Sequence, residues 1–158
     1  MGTLKILLVD DDRNLVTTLS YGIRKAMGEV ISVAVCFSSS EALSILATQP
    51  FDVVVSDFNM PGPSGLEFLS KIRQEHGEII LVLITAYGTD ALEEGVRQLG
   101  GGYITKPFEP SFLVQLIKDL IQGAGTMSRT ENASRVVDKL GKSAGSSQSM
   151  RLEGSLYE

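Results

Sequence analysis

The sequence predicts an α/β fold: a doubly wound, five-stranded parallel sheet in (βα)5 order with helices on both faces. Three observations lead there. Short β-branched runs alternate with longer amphipathic stretches over residues 1–122. The runs are continuously apolar rather than alternating, as strands covered on both faces are. Four of them end in polar groups, and in open α/β sheets ligands collect beyond the carboxyl ends of the strands. Strict alternation also demands right-handed crossovers, which place helices on both faces of the sheet.

The first strand is read at Leu4 to Val9, and a helix follows with Leu15, Leu19, Ile23 and Met27 on one stripe. Val30 to Cys36 forms the second strand, followed by a helix carrying Leu43 and Leu46 with Ser40 at its start. Asp52 to Ser56 is the third, and Ser64 opens the helix of Leu66, Leu69 and Ile72. Ile79 to Ile84 is the fourth, with Thr89 before the helix of Leu92, Val96 and Leu99. Tyr103 to Thr105 is the fifth; Pro110-Ser111 then begins a helix with Phe112, Leu116 and Leu120 inward. The glycines in Gln98-Leu-Gly-Gly-Gly-Tyr103 predict a flexible loop before that last strand.

A chain of 158 residues with 43% hydrophobic and 21% charged residues is a globular domain with some length to spare. Its 14 basic and 19 acidic residues leave a formal charge of −5, which argues against direct nucleic-acid binding. The acidity belongs to the first 122 residues, with 9 basic and 15 acidic side chains against 5 and 4 in the rest. No apolar run approaches the roughly 18 residues a membrane span needs, and the first residues lack a signal-peptide pattern, so a cytoplasmic location is expected. Cys36 has no partner for an internal disulfide, and with His76 it cannot build a zinc site. Cys36 is read as core filler and His76 as a surface residue.

Residues 123–158 change character. Gly123-Ala-Gly-Thr and Gly141-Lys-Ser-Ala-Gly-Ser-Ser-Gln-Ser have the composition of a flexible linker or tail. Between them, Ser128 to Leu140 could form a helix with Val136, Val137 and Leu140 as its apolar face. Met150 to Tyr157 alternates like the first strand of a truncated output domain.

The strand ends carry the chemistry: Asp10-Asp11-Asp12, Asp57-Phe58-Asn59, Thr85-Ala86 and Lys106-Pro107. With the first and third strands adjacent, Asp10, Asp11 and Asp57 are expected to converge. Helix capping explains single aspartates. Converging carboxylates raise one another's pKa values and call for a cation. An oxygen-only donor set suits Mg²⁺. Lys106 and the Thr85 hydroxyl add what a dianionic phosphoryl group needs.

Leu7-Leu-Val-Asp-Asp-Asp12, Val54-Val-Ser-Asp-Phe-Asn-Met-Pro-Gly62, Ile84-Thr-Ala-Tyr-Gly88 and Tyr103-Ile-Thr-Lys-Pro-Phe108 together resemble the receiver domain of bacterial two-component response regulators, across about residues 4–122. The resemblance implies a flavodoxin-like fold and a phosphoacceptor role for Asp57, charged from a phosphohistidine on a sensor histidine kinase or histidine phosphotransfer protein. It implies a Mg²⁺ site in which Asp11 binds directly, Asp10 acts through a metal-bound water, and Asp57 and the backbone carbonyl of Asn59 complete the protein ligands. Asp12 is a looser match. Lys106 would grip the phosphoryl oxygens, Thr85 would be the switch hydroxyl, and Tyr103 the ring drawn inward behind it. The Lys106–Pro107 bond would be cis. Output would pass through the fourth helix, fifth strand and fifth helix to an output domain, a partner protein or a second copy in a homodimer. Met150 to Tyr157 is faintly similar to the opening of a PATAN-type domain.

Other classes fit less well. An aspartyl-nucleophile phosphatase would carry a second aspartate where Asn59 stands, and a flavin or nucleotide site would carry a glycine- or hydroxyl-rich loop where Asp10-Asp-Asp12 stands. The expectation is a signalling switch that catalyses only its own phosphorylation and dephosphorylation. The alternative is a pseudo-receiver that binds partners without phosphorylation.

Overall fold

The computed structural model describes residues 2–124, and over them the alternation in sequence becomes a single parallel sheet. In chain order the elements are β1 (Leu4–Val9), α1 (Arg13–Met27), a 3-10 turn (Gly28–Val30), β2 (Ile31–Cys36), α2 (Ser39–Thr48), β3 (Val53–Asp57), α3 (Gly65–Glu75), β4 (Ile80–Thr85), α4 (Asp90–Gln98), β5 (Gly102–Thr105) and α5 (Pro110–Ala124). The strand order is β2-β1-β3-β4-β5, so the chain reverses direction across the sheet between β1 and β3. α5 continues through Gly123 and Ala124, past the expected boundary. The helix expected over Ser128 to Leu140 and the strand-like stretch from Met150 to Tyr157 lie outside the described residues.

Period-two alternation within each strand sorts the core into two layers. Ile6 and Leu8 of β1, Val53 and Val55 of β3, and Val82 and Ile84 of β4 pack with α1 and α5. Leu7 and Val9, Val54, and Leu81 and Leu83 pack with α2, α3 and α4. The apolar stripes of the helices meet these layers through Leu19 and Ile23 on α1, Leu69 and Ile72 on α3, and Leu92 and Val96 on α4. The stripe on α5 is wider than the four-residue spacing suggested: Leu113, Val114 and Ile117 are buried with Leu116 and Leu120, while Phe112 is only half-buried. Cys36 is fully buried in the second layer, as its reading as core filler requires.

Side-chain caps fix where α1 to α4 start. Asp12 accepts from the Leu15 N–H at 3.1 Å, Thr89 caps α4 through Leu92, and Ser64 with Glu67 closes a reciprocal capping box on α3. The cap of α2 is Ser38 rather than the expected Ser40: Ser38 has the extended backbone a cap needs and accepts from the Glu41 N–H at 3.1 Å.

Two expectations at the edge of the sheet are corrected. β5 begins at Gly102 rather than at Tyr103, which pairs with Leu83, while Thr105 lies beside Thr85. The glycine run before β5 is packed rather than loose. Gly100 turns the chain at φ +70°, and a Cβ at Gly101 or Gly102 would come within 3.0 Å of the Leu81 carbonyl or 2.9 Å of a Leu120 methyl.

Candidate functional site

β1 and β3 are neighbours with Val9 opposite Ser56, so the residues that follow, Asp10 and Asp57, emerge side by side at the carboxyl edge. Both are almost fully buried, at 5% and 4% exposure. Lys106, arriving from the end of β5, places its ammonium 2.7 Å from Asp57 Oδ1 and 3.6 Å from Asp10 Oδ2, bridging the two carboxylates. Lys106–Pro107 is a cis peptide bond.

Each carboxylate is also held by the loop after its own strand. The Asn59 N–H donates to Asp57 Oδ2 at 2.9 Å, and the Asp12 N–H donates to Asp10 Oδ1 at 2.9 Å. Asp10 Oδ2 is buried and receives no hydrogen bond among the described residues. Burial raises the Asp10 carboxyl to about 6, an effect partly offset by the Asp12 N–H and reinforced by the charge on Asp57. For Lys106, burial alone lowers the pKa, but the hydrogen bond to Asp57 and the charges of Asp10 and Asp57 more than reverse this and raise it. The ammonium is therefore held charged against the two acids.

The expected convergence of three carboxylates is a close pair. Asp11 is exposed at the rim, as is Asn59, and among the described residues no three His, Cys, Asp or Glu side chains gather tightly enough to cage a metal. Lys106 stands between Asp10 and Asp57, while Asp11 faces solvent. A pair in which buried Asp10 Oδ2 has no hydrogen-bond donor and faces only the Lys106 ammonium at 3.6 Å still fits a small hard cation that takes much of its shell from carbonyls and water. Asp12 is occupied in capping α1, consistent with its looser match.

Thr85 ends β4 with its hydroxyl buried and accepting from the Tyr87 N–H at 3.1 Å. Tyr103 stands on the neighbouring strand with its hydroxyl buried rather than in solvent. A Cβ at Gly88 would run into that hydroxyl and come within 3.1 Å of the Thr105 methyl. The ring expected to move inward is thus already inward in this conformation, because Gly88 leaves room for it. Tyr87 is 78% exposed beside the site. His76 caps the end of α3 at the opposite edge of the sheet and takes no part.

Sequence reasoning missed Gly65. At the first position of α3, a Cβ there would overlap the Asp57 carbonyl oxygen and lie 2.7 Å from Phe58 Cα, and the Gly65 N–H donates to the Phe58 carbonyl at 2.9 Å. This close approach seats the β3–α3 loop that holds Asp57. The available signal was a glycine directly after a capping serine, in Pro61-Gly-Pro-Ser-Gly65.

Comparison with known proteins is consistent with this geometry. A family profile described as the response regulator receiver domain matches residues 6–118. The chain is similar to the response regulator protein FleR of Pseudomonas aeruginosa, 40% identical over 114 residues, covering 72% of this chain and 24% of FleR. It is similar to the DNA-binding transcriptional regulator NtrC of Klebsiella pneumoniae, 30% identical over 153 residues, covering 94% of this chain and 32% of NtrC. It therefore spans only about a quarter to a third of the length of these curated relatives. Among solved structures, the BeF3-activated receiver domain of DrrB from Thermotoga maritima superposes with a TM-score of 0.67 at 27% identity, covering 76% of this chain and 98% of that one. The Vibrio cholerae chemotaxis protein CheY4 superposes with a TM-score of 0.68 at 26% identity, covering 74% and 98%.

Proposed function

Because the chain belongs to the receiver domains of response regulators, which are signalling switches, we propose that Asp57 is its phosphoacceptor. A phosphohistidine on a sensor histidine kinase or histidine phosphotransfer protein supplies the phosphoryl group. The observation that carries this reading is the state of Asp57: buried, paired with Lys106 at 2.7 Å, and fixed by the Asn59 N–H at 2.9 Å.

A carboxylate so placed is already a competent nucleophile and needs no general base. A carboxylate oxygen of Asp57 attacks phosphorus. The bond from phosphorus to the imidazole nitrogen breaks, and its electron pair leaves with the imidazole. The product is an acyl phosphate on Asp57. Lys106 is positioned to follow the charge from the carboxylate to the phosphoryl oxygens, so it neutralises charge both before and after transfer.

Asp10 through its buried Oδ2, the exposed Asp11, Asp57 and the Asn59 backbone carbonyl are the groups that would hold Mg²⁺. When bound, the ion supplies positive charge to the phosphoryl oxygens and to the crowded acids. The residues of the chain position the nucleophile and its counter-charge.

Phosphorylation adds nearly two negative charges and three acceptor oxygens next to Thr85. The Thr85 hydroxyl then donates to the phosphoryl group, drawing the β4–α4 loop with it. Since Tyr103 is already inward, this locks an existing arrangement in a two-state equilibrium. The changed face of α4, β5 and α5 is read by an output domain, a partner or a second copy, with residues 123–158 as the linker or tail. The chain acts in the cytoplasm as a switch whose only chemistry is on itself.

The test is intact mass after incubation with acetyl phosphate, with and without Mg²⁺, for the wild type and Asp57→Asn. One Mg²⁺-dependent phosphoryl adduct, absent from the variant, is expected. A folded wild-type protein that stays unmodified would establish a pseudo-receiver instead.

A further inference from the structure

The acid pair at the end of β1 and β3 has a cation on each flank, and only one of them is engaged. Lys106 reaches in from the β5 side. On the β2 side, Arg13 opens α1 directly after Asp10-Asp11-Asp12, with its guanidinium 3.8 Å from the centroid of the Phe37 ring. Phe37 follows the last residue of β2, and the Asp10 N–H donates to the Cys36 carbonyl at 3.2 Å, so this pair lies on the β2 side of the chain segment that carries Asp10. An arginine within three residues of three aspartates is expected to pair with one of them. Among the described residues Arg13 forms no ion pair. Asp11 faces solvent, Asp12 is taken by the Leu15 N–H and Asp10 by the Asp12 N–H and Lys106. Stacking uses the face of the guanidinium and leaves its edge donors open, and that edge matches a phosphate bidentately.

We infer that Arg13, held on Phe37, is a specificity residue for phosphodonor entry: it captures the dianionic phosphoryl end of an incoming donor at the rim and offsets the repulsion of the aspartates. This rests on the phosphoacceptor role of Asp57. Arg13 touches the donor before transfer and does not join the bond-breaking step, so its loss acts on donor affinity more than on the maximal rate. Its charge also opposes that of a divalent cation in the acid pair, so its removal leaves Mg²⁺ affinity equal or higher.

The experiment measures the rate of Asp57 phosphorylation in the full chain against donor concentration, at low and high salt. The donors are acetyl phosphate, a dianion at neutral pH, and phosphoramidate, which carries less negative charge. For Arg13→Ala, the half-saturating acetyl phosphate concentration is expected to rise several-fold with the maximal rate within twofold. The effect should be smaller for phosphoramidate and shrink as salt is added. Arg13→Lys restores part of the affinity, while Phe37→Leu, which keeps the cation and removes its seat, falls between wild type and Arg13→Ala. Equal donor dependence in wild type and Arg13→Ala overturns the inference while leaving the phosphoacceptor reading intact. A wild type that takes no phosphoryl group from either donor overturns both.

Discussion

Lys106 donates its backbone N–H to the Thr85 carbonyl at 2.8 Å while its ammonium holds Asp57 at 2.7 Å. One residue thus joins the proposed nucleophile to the proposed switch, through its side chain on one side and its main chain on the other. That connection gives a shift of charge at Asp57 a direct path to the end of β4, which the Lys106 and Thr85 variants test.

Replacing Lys106 with Ala should lower the rate of Asp57 phosphorylation by about 100-fold or more, the scale on which a preorganised counter-charge to a transferring group acts. Lys106→Arg should recover little of that loss, since a planar fork does not reproduce a compact ammonium between two acids. Single-turnover rates with acetyl phosphate measure this; a loss under threefold would remove Lys106 from the chemistry.

Stability should depend on Asp10 in a defined pH window. Burial raises the folded Asp10 carboxyl from 3.8 to about 6, so between those values the folded state binds more protons than the unfolded one. Stability therefore falls as pH rises through this range, by at most about 3 kcal/mol. Urea titrations from pH 4 to 7 without divalent cations should record that slope, and Asp10→Asn should flatten it. Millimolar Mg²⁺ should restore stability near pH 7 in the wild type only.

Thr85→Ala should still accept the phosphoryl group but fail to transmit it. The adduct is expected by intact mass at a rate within tenfold of wild type, while the shifts of β4–α4 loop and Tyr103 resonances on phosphorylation are lost. Unchanged shifts in the variant would sever the proposed link.

Gly65→Ala should cost about 1–3 kcal/mol of stability, the usual range for forcing a methyl into occupied space, and slow phosphorylation as well, because the added carbon meets the Asp57–Phe58 backbone. Urea midpoints and adduct rates should fall together. A stable variant with normal rate would show that the close approach is dispensable.

Cys36 should be inert in the native protein. Burial pushes its thiol up to about 12, with Glu41 adding to the shift, so almost no thiolate forms at pH 8. An aromatic disulfide reagent should label it only at the rate of unfolding. Rapid labelling of the folded chain would contradict its place in the core.

Among the described residues, all five strands and five α-helices were legible in the sequence because each is a local pattern: an unbroken apolar run or a stripe repeating near every four residues. Boundaries shifted by a residue or so where the deciding event was not local. β3 runs on to Asp57 and β4 to Thr85 because each pairs in register with its neighbour. Ser38 displaced Ser40 as a cap because the choice between two nearby serines depends on backbone conformation.

The residue types at the strand ends were equally readable, and with them the family. Their actual partners were not. That Lys106 spans Asp10 and Asp57 while Asp11 faces solvent follows from where β5 delivers its last residue relative to β1 and β3, a relation between strands far apart in sequence. The same holds for Gly65 against Asp57, Gly88 beneath Tyr103, and Arg13 turning from its neighbouring aspartates to Phe37.

Sequence alone determined which elements form and which chemical groups stand at their ends, since propensity, periodicity and capping act over a few residues. Only the tertiary structure decided which charges neutralise one another, which carboxylate oxygen is left without a donor, and which ring lies inward. Those outcomes depend on distances of a few ångströms between segments that meet only once the sheet has closed its register and both layers of helices have packed.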